Sequence, residues 1–592
     1  IINTSHYEMK EFIKNTLAAT LGTLIGILFL SFCGILLISI LLISGSSVPS
    51  IKSNSILKIE LNGALEERVQ DSPLNDLLGE DYPSVGLDQT LSSIYRAAQD
   101  PNIKAIYLDA GALTQATPAM AEEIRVALTD FKKSGKPIIS YGDNYSQTTY
   151  YICSAADQVV LNPSGQISWQ GLVSEPIFYK DLLQRIGVKM QVFRVGSYKS
   201  AVEPFTSTEM SPANREQIQS YLNSIWNNMI QAVAESRHIN KDTLNRYADE
   251  FLSLAPATEM VNKHLADTLL YREEMKEYLK EKLQLSNSPQ IITPSDLAQI
   301  PQKQSSAEKI AVYYAFGDIV DNPSSMNMSE IASKQVCRDL AELADDSQIK
   351  AVVIRINSGG GSAYASEQIW HSIQKLKSKK PVIISMGGMA ASGGYYMACA
   401  GNEIVALPST LTGSIGIFGM IPDASNLLKE KLGLNFDAVQ TNRHADFGTM
   451  SRPFNPEETA LMQRYIESGY RLFLKRVSDG RNLPLQQTGK LAEGRVWTGE
   501  QALKNGLVDQ MGTLQTALER AAKKAGITDY SVTTYPKPQK WYESLLQDKQ
   551  TDYIQSALKS TLGNYYEHIQ FISKMNSMDP IQARMPYEPN IN

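Results

Sequence analysis

The chain alternates short, largely apolar runs, typical of buried strands, with segments that repeat apolar residues at helical spacing. A run at 103–108 (IKAIYL) is followed by Met120, Ile124 and Leu128, which recur every fourth residue, and then by the run KPII at 136–139. Strand, helix and strand joined by short links predict parallel βαβ layering, and therefore an α/β fold.

The same pattern occurs twice, which indicates an internal duplication. The matched runs lie at offsets of 246, 244 and 245 (349 − 103, 380 − 136, 395 − 150): 103–108 with 349–354, 136–139 with 380–383, and 150–153 with 395–398. Each half then has a long predicted helix, which begins at Ser211-Pro212 in one and at Asn455-Pro456 in the other.

The duplication predicts two domains of similar size in tandem. Their predicted bounds are 55–285 and 309–535, joined by a linker at 286–308 that is rich in Ser, Pro and Gln. A segment at 536–592 follows the second domain, and its pattern indicates no role.

An uncharged segment precedes the first domain. No charged residue or histidine occurs between positions 15 and 51, and the apolar centre at 17–44 exceeds the ~20 residues that cross a bilayer. The residues SGS at 44–46 form a poor signal-peptide cleavage site, which favours an uncleaved transmembrane helix. Two lysines flank this segment on each side, at 10 and 14 and at 52 and 58, so charge marks its orientation only weakly. A start at Met9 would keep the first two lysines and remove Glu8, so we expect a cytoplasmic stub at 1–16 and a chain otherwise outside the cytoplasm.

Composition narrows the possible functions. The net charge is −6, so the chain lacks the excess of basic residues that is typical of nucleic-acid binding. The four cysteines are scattered without a CxxC pair, as expected of small buried hydrophobic residues. Neither a phosphate-binding GxxxxGK[ST] loop nor an HExxH metal motif is present, so we expect no cofactor and no metal.

Ser392 is the first candidate for chemistry. It lies in 385–396 (SMGGMAASGGYY), where an apolar strand at 381–384 turns into a helix. Because the neighbouring residues are small, we expect its hydroxyl to be exposed. The free N–H groups at the start of the helix point to the same place. A serine hydroxyl needs a base to become a nucleophile. His371 on a predicted helix and His444 in a polar loop have no evident carboxylate partner, and a lysine made neutral by burial is the alternative.

The two halves differ at the positions that matter. At an offset of 245, Ser392 corresponds to Gln147 (392 − 245) and Ser414 corresponds to Trp169 (414 − 245), so the first half lacks these hydroxyls. In the reverse direction, a lysine of the first half, Lys199, corresponds to a histidine at 444 (199 + 245). The complementary differences predict one composite site with parts from both halves.

A tetrahedral intermediate on Ser392 would need two backbone N–H donors for its oxyanion. The N–H of Gly393, directly after the serine, and one N–H from the glycine turn at 359–361 would supply them.

Four motifs together resemble the signal peptide peptidase A (protease IV) family, in its long tandem-domain bacterial form: 390–395 (AASGGY), 357–361 (NSGGG), 412–416 (TGSIG) and 494–499 (GRVWTG). The resemblance runs from about Met9 to about Gly526. It implies two tandem Clp-protease/crotonase-like domains built from ββα repeats, behind one N-terminal transmembrane helix. It also implies a serine peptidase with a serine–lysine dyad.

The resemblance implies a role for each matching residue. Ser392 matches the nucleophile and Lys199 the general base, while Ser414 matches the serine that hydrogen-bonds the lysine amine. Gly360 and Gly393 match the oxyanion donors.

The resemblance further implies remnant signal peptides and other hydrophobic peptides as substrates. It implies a single-pass protein of the bacterial inner membrane, in contact with lipid through its helix, with its catalytic region on the periplasmic side. A homo-oligomer is expected, a tetramer being favoured, because this fold tends to close into rings. Two alternatives remain open: a crotonase-type acyl-CoA enzyme, and a non-catalytic membrane scaffold of degenerate domains.

Overall fold

The computed structural model describes residues 14–34, 50–69, 84–300, 308–322, 330–537 and 581–585. One helix of these residues, Lys14–Gly34, is long and apolar enough to cross a membrane, and none of it is buried. It covers the first part of the predicted 17–44 transmembrane helix. The rest of that helix, most of the predicted stub and most of 536–592 lie outside the described residues.

The first half folds around a parallel sheet whose apolar strands are buried because helices cover both faces. In spatial order the described strands are β2 (Ser84–Gly86), β1 (Ser55–Glu66), β3 (Ile103–Thr114), β4 (Ile138–Gly142), β5 (Gln158–Leu161) and β7 (Thr268–Leu269), with β8 (Gln290–Ile292) also paired to β1. The covering helices are Leu87–Gln99, Pro118–Lys132, Gln147–Cys153 and Pro212–Arg237 on one face and Met275–Lys282 on the other.

The second half repeats this arrangement around a second sheet. Its described strands are β18 (Val496–Thr498), β16 (Leu411–Gly413), β14 (Val382–Ala391), β12 (Ile349–Ser358), β9 (Lys309–Phe316) and β20 (Ser531–Tyr535), with β15 (Glu403–Ala406) paired to β14 and β19 (Gln510–Met511) paired to β15. The covering helices are Ser333–Asp345, Ala363–Lys377, Gly393–Ala398 and Pro456–Arg481 on one face and Leu514–Ala525 on the other.

These two sheets confirm the predicted duplicated α/β fold. The two long helices both have 26 residues and begin where the sequence indicated. Ser211 caps the first by accepting the N–H of Asn214, and Asn455 caps the second by accepting the N–H of Glu458. The caps satisfy donors that the first helical turn leaves free, which explains why both helices begin there.

Part of the predicted linker is folded onto the first half. Strand β8 pairs with β1 in parallel, just as β20 pairs with β9 in the second half. A short helix, Pro294–Gln299, follows and is capped by Thr293. Elements of three and six residues are too short for hydrophobic periodicity to reveal, so composition alone indicated a connection.

A third sheet joins the two halves. Its described strands, in order, are β11 (Glu330–Ala332), β10 (Asp318–Val320), β13 (Gly360–Ser362), β21 (Ile581–Arg584), β17 (Phe418–Asp423) and β6 (Lys189–Arg194). Strand β6 of the first half pairs antiparallel with β17 of the second half over six residues. The halves are therefore joined by backbone hydrogen bonds as well as by side chains.

Shorter elements complete the described chain. They are the helices Lys180–Ile186, Glu203–Thr206, Lys241–Asp249, Ala257–Asn262, Leu485–Leu491 and Gly499–Lys504, the 3-10 turns Ser200–Val202, Leu252–Leu254 and Arg272–Glu274, and a π-turn at Leu427–Lys431.

The first two glycines in 385–396, Gly387 and Gly388, belong to a strand and not to a turn. Strand β14 continues through Gly387 and Gly388 as far as Ala391. A Cβ at Gly387 would lie 2.3 Å from Oε1 of Glu67, and a Cβ at Gly388 would lie 2.3 Å from Oγ1 of Thr117. The glycines therefore allow the first half to approach this strand closely, and their turn-like composition concealed the contact.

A buried ion cluster lies at the same interface. Arg355 of β12 donates from Nε to Oε2 of Glu67 at 2.9 Å and from Nη2 to Oε2 of Glu123 at 2.5 Å. All three side chains are at most 3% exposed. Burial alone would lower the pKa of Arg355, but the two carboxylates outweigh burial and raise it, so the guanidinium stays charged between the halves.

We predict that Arg355→Ala destabilises the protein by about 3–5 kcal/mol, because it leaves two buried carboxylates without a counter-charge. The measurement is thermal and denaturant unfolding of the full chain. Arg338→Ala is the matched control, since that arginine is 64% exposed, and it should change stability by no more than about 0.5 kcal/mol. Equal stability of the two variants would contradict the role given to the cluster.

Candidate active site

Ser392 lies between β14 and the Gly393–Ala398 helix, at the strand-to-helix junction that the sequence indicated. Its N–H donates to the carbonyl of Gly413 at 2.8 Å, and its own carbonyl accepts the N–H of Tyr396 at 2.8 Å. These bonds hold the residue at φ 55° and ψ −112°, a conformation that residues other than glycine rarely adopt. Backbone strain of this kind is typical of functional sites and directs the side chain away from the regular strand.

Lys199 comes from the first half and reaches Ser392 across the interface. It lies between β6 and the Ser200–Val202 turn, immediately before the turn, and its side chain is completely buried. The Nζ atom lies 2.7 Å from Oγ of Ser392, 3.0 Å from Oγ of Ser414 and 3.0 Å from the carbonyl oxygen of Ser414. Two residues separated by 193 positions thus meet within one chain.

Burial determines the charge of this amine. Removal from water lowers the pKa of Lys199 well below its usual 10.5. Among the described residues no carboxylate forms an ion pair with Nζ to oppose this effect. In the neutral form the two N–H bonds can donate to the two oxygens of Ser414, and the nitrogen lone pair can accept the hydroxyl of Ser392.

Two glycines of the second half hold the lysine side chain in place. Gly494 has φ +79°, and a Cβ on it would lie 2.6 Å from Cα of Lys199. A Cβ on Gly416 would lie 3.2 Å from Cδ of the same lysine. Both glycines belong to motifs noted in the sequence, 494–499 and 412–416, but sequence reasoning missed that they surround Lys199.

A buried glutamine fixes the lysine loop to the second half. Gln217 donates from Nε2 to the carbonyl of Tyr198 at 3.1 Å and to Oγ of Ser200 at 2.9 Å. Its Oε1 accepts the N–H of Val496 in β18 at 3.1 Å. One side chain therefore connects both neighbours of Lys199 to the opposite half, and no sequence motif indicated this.

Ser414, the third polar residue predicted for the site, follows β16. Its N–H donates to the carbonyl of Arg495 at 2.7 Å, and its φ is +49°. Like Ser392, it has a backbone conformation that is unfavourable for a residue with a side chain. The structure therefore brings together Ser392, Lys199 and Ser414, all completely buried.

The two predicted oxyanion glycines also lie together. A Cβ built on Gly360, which has φ +106°, would come 2.8 Å from the backbone nitrogen of Gly393. Gly393 begins its helix, so its N–H has no intrahelical acceptor. The N–H of Gly360 donates to Oγ of Ser358 at 3.1 Å, so donation to an oxyanion requires that bond to be shared or exchanged.

The equivalent positions of the first half have structural roles. Oε1 of Gln147 accepts the N–H groups of Gln170 and Gly171, both at 2.9 Å. The indole of Trp169 is completely buried and donates from Nε1 to the carbonyl of Leu244 at 2.9 Å. His444, at the position equivalent to Lys199, lies 3.7 Å from each of two glutamates. Because all three equivalent positions hold other residues, the described residues contain one copy of the site.

The fold class of this site is that of the Clp proteases. A family model described as Clp protease matches residues 321–412, which include β12, β13, β14 and Ser392. The protein is therefore an α/β protein of the Clp-protease-like class, with two such halves.

A second family model, described as peptidase family S49, matches residues 130–286 and 374–528. The two matched stretches fall in the two halves and together cover more than half of the chain. The chain belongs to peptidase family S49, which makes it a serine protease of the signal peptide peptidase A type.

Curated relatives agree with this family. "Protease 4" of Haemophilus influenzae is 35% identical over 554 residues, 89% of each chain. "Protease 4" of Salmonella typhi is 36% identical over 80% of this chain and 76% of the relative. "Serine protease SPPA, chloroplastic" of Arabidopsis thaliana is 31% identical over 81% and 70%, respectively. The acyl-CoA alternative is therefore set aside.

We predict that Gly494→Ala lowers peptide hydrolysis by about 100-fold, because its Cβ would displace Lys199 by a distance that catalysis does not tolerate. Gly489→Ala is the matched control: this glycine lies in the Leu485–Leu491 helix, and a Cβ there would meet no atom within 4 Å. The control should keep full activity and gain up to about 1 kcal/mol of stability. Equal activity of the two variants, with both folded by circular dichroism, would contradict the packing role of Gly494.

Proposed function

We propose that this protein is a membrane-anchored serine endopeptidase in which Ser392 is the nucleophile and Lys199 is the general base. The observation that carries the proposal is the 2.7 Å contact between Nζ of Lys199 and Oγ of Ser392 at a completely buried position. A neutral amine at hydrogen-bond distance from a hydroxyl is the arrangement that general-base activation of a serine requires.

The reaction begins when Oγ of Ser392 attacks the carbonyl carbon of a peptide bond and its proton moves to Nζ of Lys199. The lysine then gives this proton to the leaving amine, and an acyl-enzyme ester remains on the serine. Ser414 orients the amine through both of its oxygens throughout the cycle. Because the amine starts neutral, it can accept the proton near neutral pH without an acidic partner.

The negative charge of the tetrahedral intermediate needs backbone donors. The N–H of Gly393 is available at the start of its helix, where the helix dipole also favours a negative charge. The N–H of Gly360 is the second donor once it is shared with Ser358. Hydrolysis of the ester follows when water gives its proton to Lys199 and attacks the acyl carbon.

We assign remnant signal peptides and other hydrophobic peptides as the substrate class. A relative of Enterococcus faecium, 32% identical over 40% of this chain, has the printed name "Putative signal peptide peptidase SppA". The apolar Lys14–Gly34 helix would place the catalytic halves beside a membrane that holds such peptides. We further place the protein in the bacterial inner membrane with these halves on the periplasmic side, as a homo-oligomer.

We predict that peptide hydrolysis by the wild type falls as the pH is lowered through the depressed pKa of Lys199. The sign follows from the mechanism: the neutral amine is the base, so activity is present above the pKa in the folded state and lost below it. Lys199→Ala should hydrolyse peptides about 10²–10⁴-fold more slowly than the wild type, and the fall in rate at low pH should be absent from this variant.

Lys199→Arg serves as the matched control for charge and length. The guanidinium keeps a positive charge but cannot be deprotonated at accessible pH, so this variant should be as inactive as Lys199→Ala. Wild-type activity in either variant would contradict the assignment of the base.

The scaffold alternative has its own test. A fluorophosphonate that reacts with activated serines should label the wild type and should not label Ser392→Ala or Lys199→Ala. An unlabelled wild type that also hydrolyses no peptide would favour the scaffold.

A further inference from the structure

Strand β14, which leads to the proposed nucleophile, contains a bulge beside its parallel partner β12. The two strands pair Ile356 with Met386 and next pair Ser358 with Ala390. One residue of β12 therefore lies opposite three residues of β14. Extra residues in one strand interrupt the ladder and leave backbone groups without their usual partners. The groups that satisfy them decide how the two strands are held beyond the bulge.

Asn357 is the single residue of β12 at this bulge, and its side chain replaces part of the missing ladder. Its Oδ1 accepts the N–H of Met389 in β14 at 3.0 Å. The Met389 side chain also packs against the glycine turn that follows β12, since a Cβ on Gly359 would lie 3.2 Å from its Sδ. Asn357 and Met389 therefore connect the two strands where backbone pairing is interrupted.

This hydrogen bond lies between the two parts of the proposed oxyanion site. Asn357 precedes Gly360 by three residues (360 − 357), and Met389 precedes Ser392 by three residues (392 − 389). One end of the bond is thus close in sequence to an oxyanion donor, and the other end is close to the nucleophile. The separation of the strands at the bulge sets the distance between these two groups, and catalysis is sensitive to errors of about 1 Å.

The amide of Asn357 also contacts the first half. Its Nδ2 donates to Sδ of Met120 at 3.8 Å, and the side chain hydrogen-bonds the carboxylate of Glu67. Burial raises the pKa of Glu67, and the ion pair with Arg355 and the bond from Asn357 oppose burial only in part. A carboxylate paired with a guanidinium can only accept, so it directs the amide nitrogen to the first half and the amide oxygen to Met389.

The first half lacks this arrangement, which argues against a role in folding alone. Strands β3 and β4 hold the equivalent places in the first sheet and pair without a register shift as far as Ala110 and Gly142. At the offset of 246 that relates β3 to β12, Asn357 corresponds to Gly111 (357 − 246), which has no side chain to accept a hydrogen bond. The half without a nucleophile therefore folds without the bulge and without the amide.

We propose that Asn357 is a positioning residue, which holds the turn at 359–361 and strand β14 at the separation that the oxyanion of the tetrahedral intermediate requires. This inference rests on the proposed function of Ser392 and Lys199. In this role Asn357 acts through the backbone of both strands, by way of Met389, and not on the substrate itself.

Loss of the bond should impair one part of catalysis and spare another. The oxyanion donors would be displaced, and removal of one such donor costs about 10²–10³-fold in kcat. The amine of Lys199 would keep its bonds to Ser414, so the pH at which activity is lost should not move. A residue that supported only folding would not separate these two effects.

Asn357→Ala in the full-length chain tests the proposal, with Asn402→Ala as the matched control. Oδ1 of Asn402 accepts the N–H of Val382 at 2.8 Å, at the other end of the same strand. Each variant therefore loses one bond from an asparagine side chain to the backbone of β14. The measurements are kcat and KM for peptide hydrolysis, the pH profile, and the inhibition constant of a peptide aldehyde, whose adduct with a serine places an oxygen in the oxyanion site.

Asn357→Ala should lower kcat by about 100-fold and weaken inhibition by the aldehyde by a similar factor, because both depend on the oxyanion donors. Its KM and the low-pH limb of its profile should remain those of the wild type. Asn402→Ala should keep the wild-type kcat and aldehyde affinity. Asn357→Asp keeps an acceptor oxygen for Met389 and should be faster than Asn357→Ala.

Four results would overturn the proposal while leaving the proposed function intact. They are equal kcat values for Asn357→Ala and Asn402→Ala, a slower Asn357→Ala whose low-pH limb moves while its aldehyde affinity does not, an Asn357→Asp no faster than Asn357→Ala, and an Asn357→Ala that is unfolded by circular dichroism while Asn402→Ala is folded. A wild type that hydrolyses no peptide would instead contradict the proposed function.

Discussion

The structure depends on one contact: a lysine amine and a serine hydroxyl, 2.7 Å apart, that come from opposite halves of a duplicated chain. The contact has value for catalysis only if the amine is kept away from water, because a solvated lysine stays protonated near neutral pH. In the proposed mechanism, burial between the halves therefore serves the chemistry as well as the packing. An opening of the interface that admitted water would move the pKa of Lys199 back toward its usual 10.5 and remove the base.

The interface has features that oppose such an opening. Strands β6 and β17 join the halves through six residue pairs, and the guanidinium of Arg355 forms ion pairs with two carboxylates of the first half. Glycines allow the backbone to approach Lys199 and Glu67 closely where any side chain would prevent it. A cluster of buried charges is costly to form, but once formed it is also costly to break, so it favours one defined arrangement of the halves.

Local sequence pattern predicted the duplicated α/β fold and its two long capped helices. The spacing of apolar residues and the identity of the capping residues can both be read from a few neighbouring positions. The strand-to-helix pattern at 385–396 located the hydroxyl of Ser392, and comparison of the halves indicated a composite site. Residue chemistry alone left histidine and lysine open as the base, since the burial of Lys199 arises only in the folded chain. Nonlocal pairings were likewise missed: no sequence pattern assigned a role to Arg355 or Gly387, and β21 joins a sheet whose other strands lie far away in sequence.

The central claim is that both members of the dyad come from one chain. The most direct test co-expresses a Ser392→Ala chain and a Lys199→Ala chain with different affinity tags and assays peptide hydrolysis by the doubly purified mixture. A dyad formed within one chain predicts no hydrolysis above that of either variant alone, since every chain lacks one partner. Recovered hydrolysis in the mixture would show that lysine and serine meet between subunits, and would contradict the account.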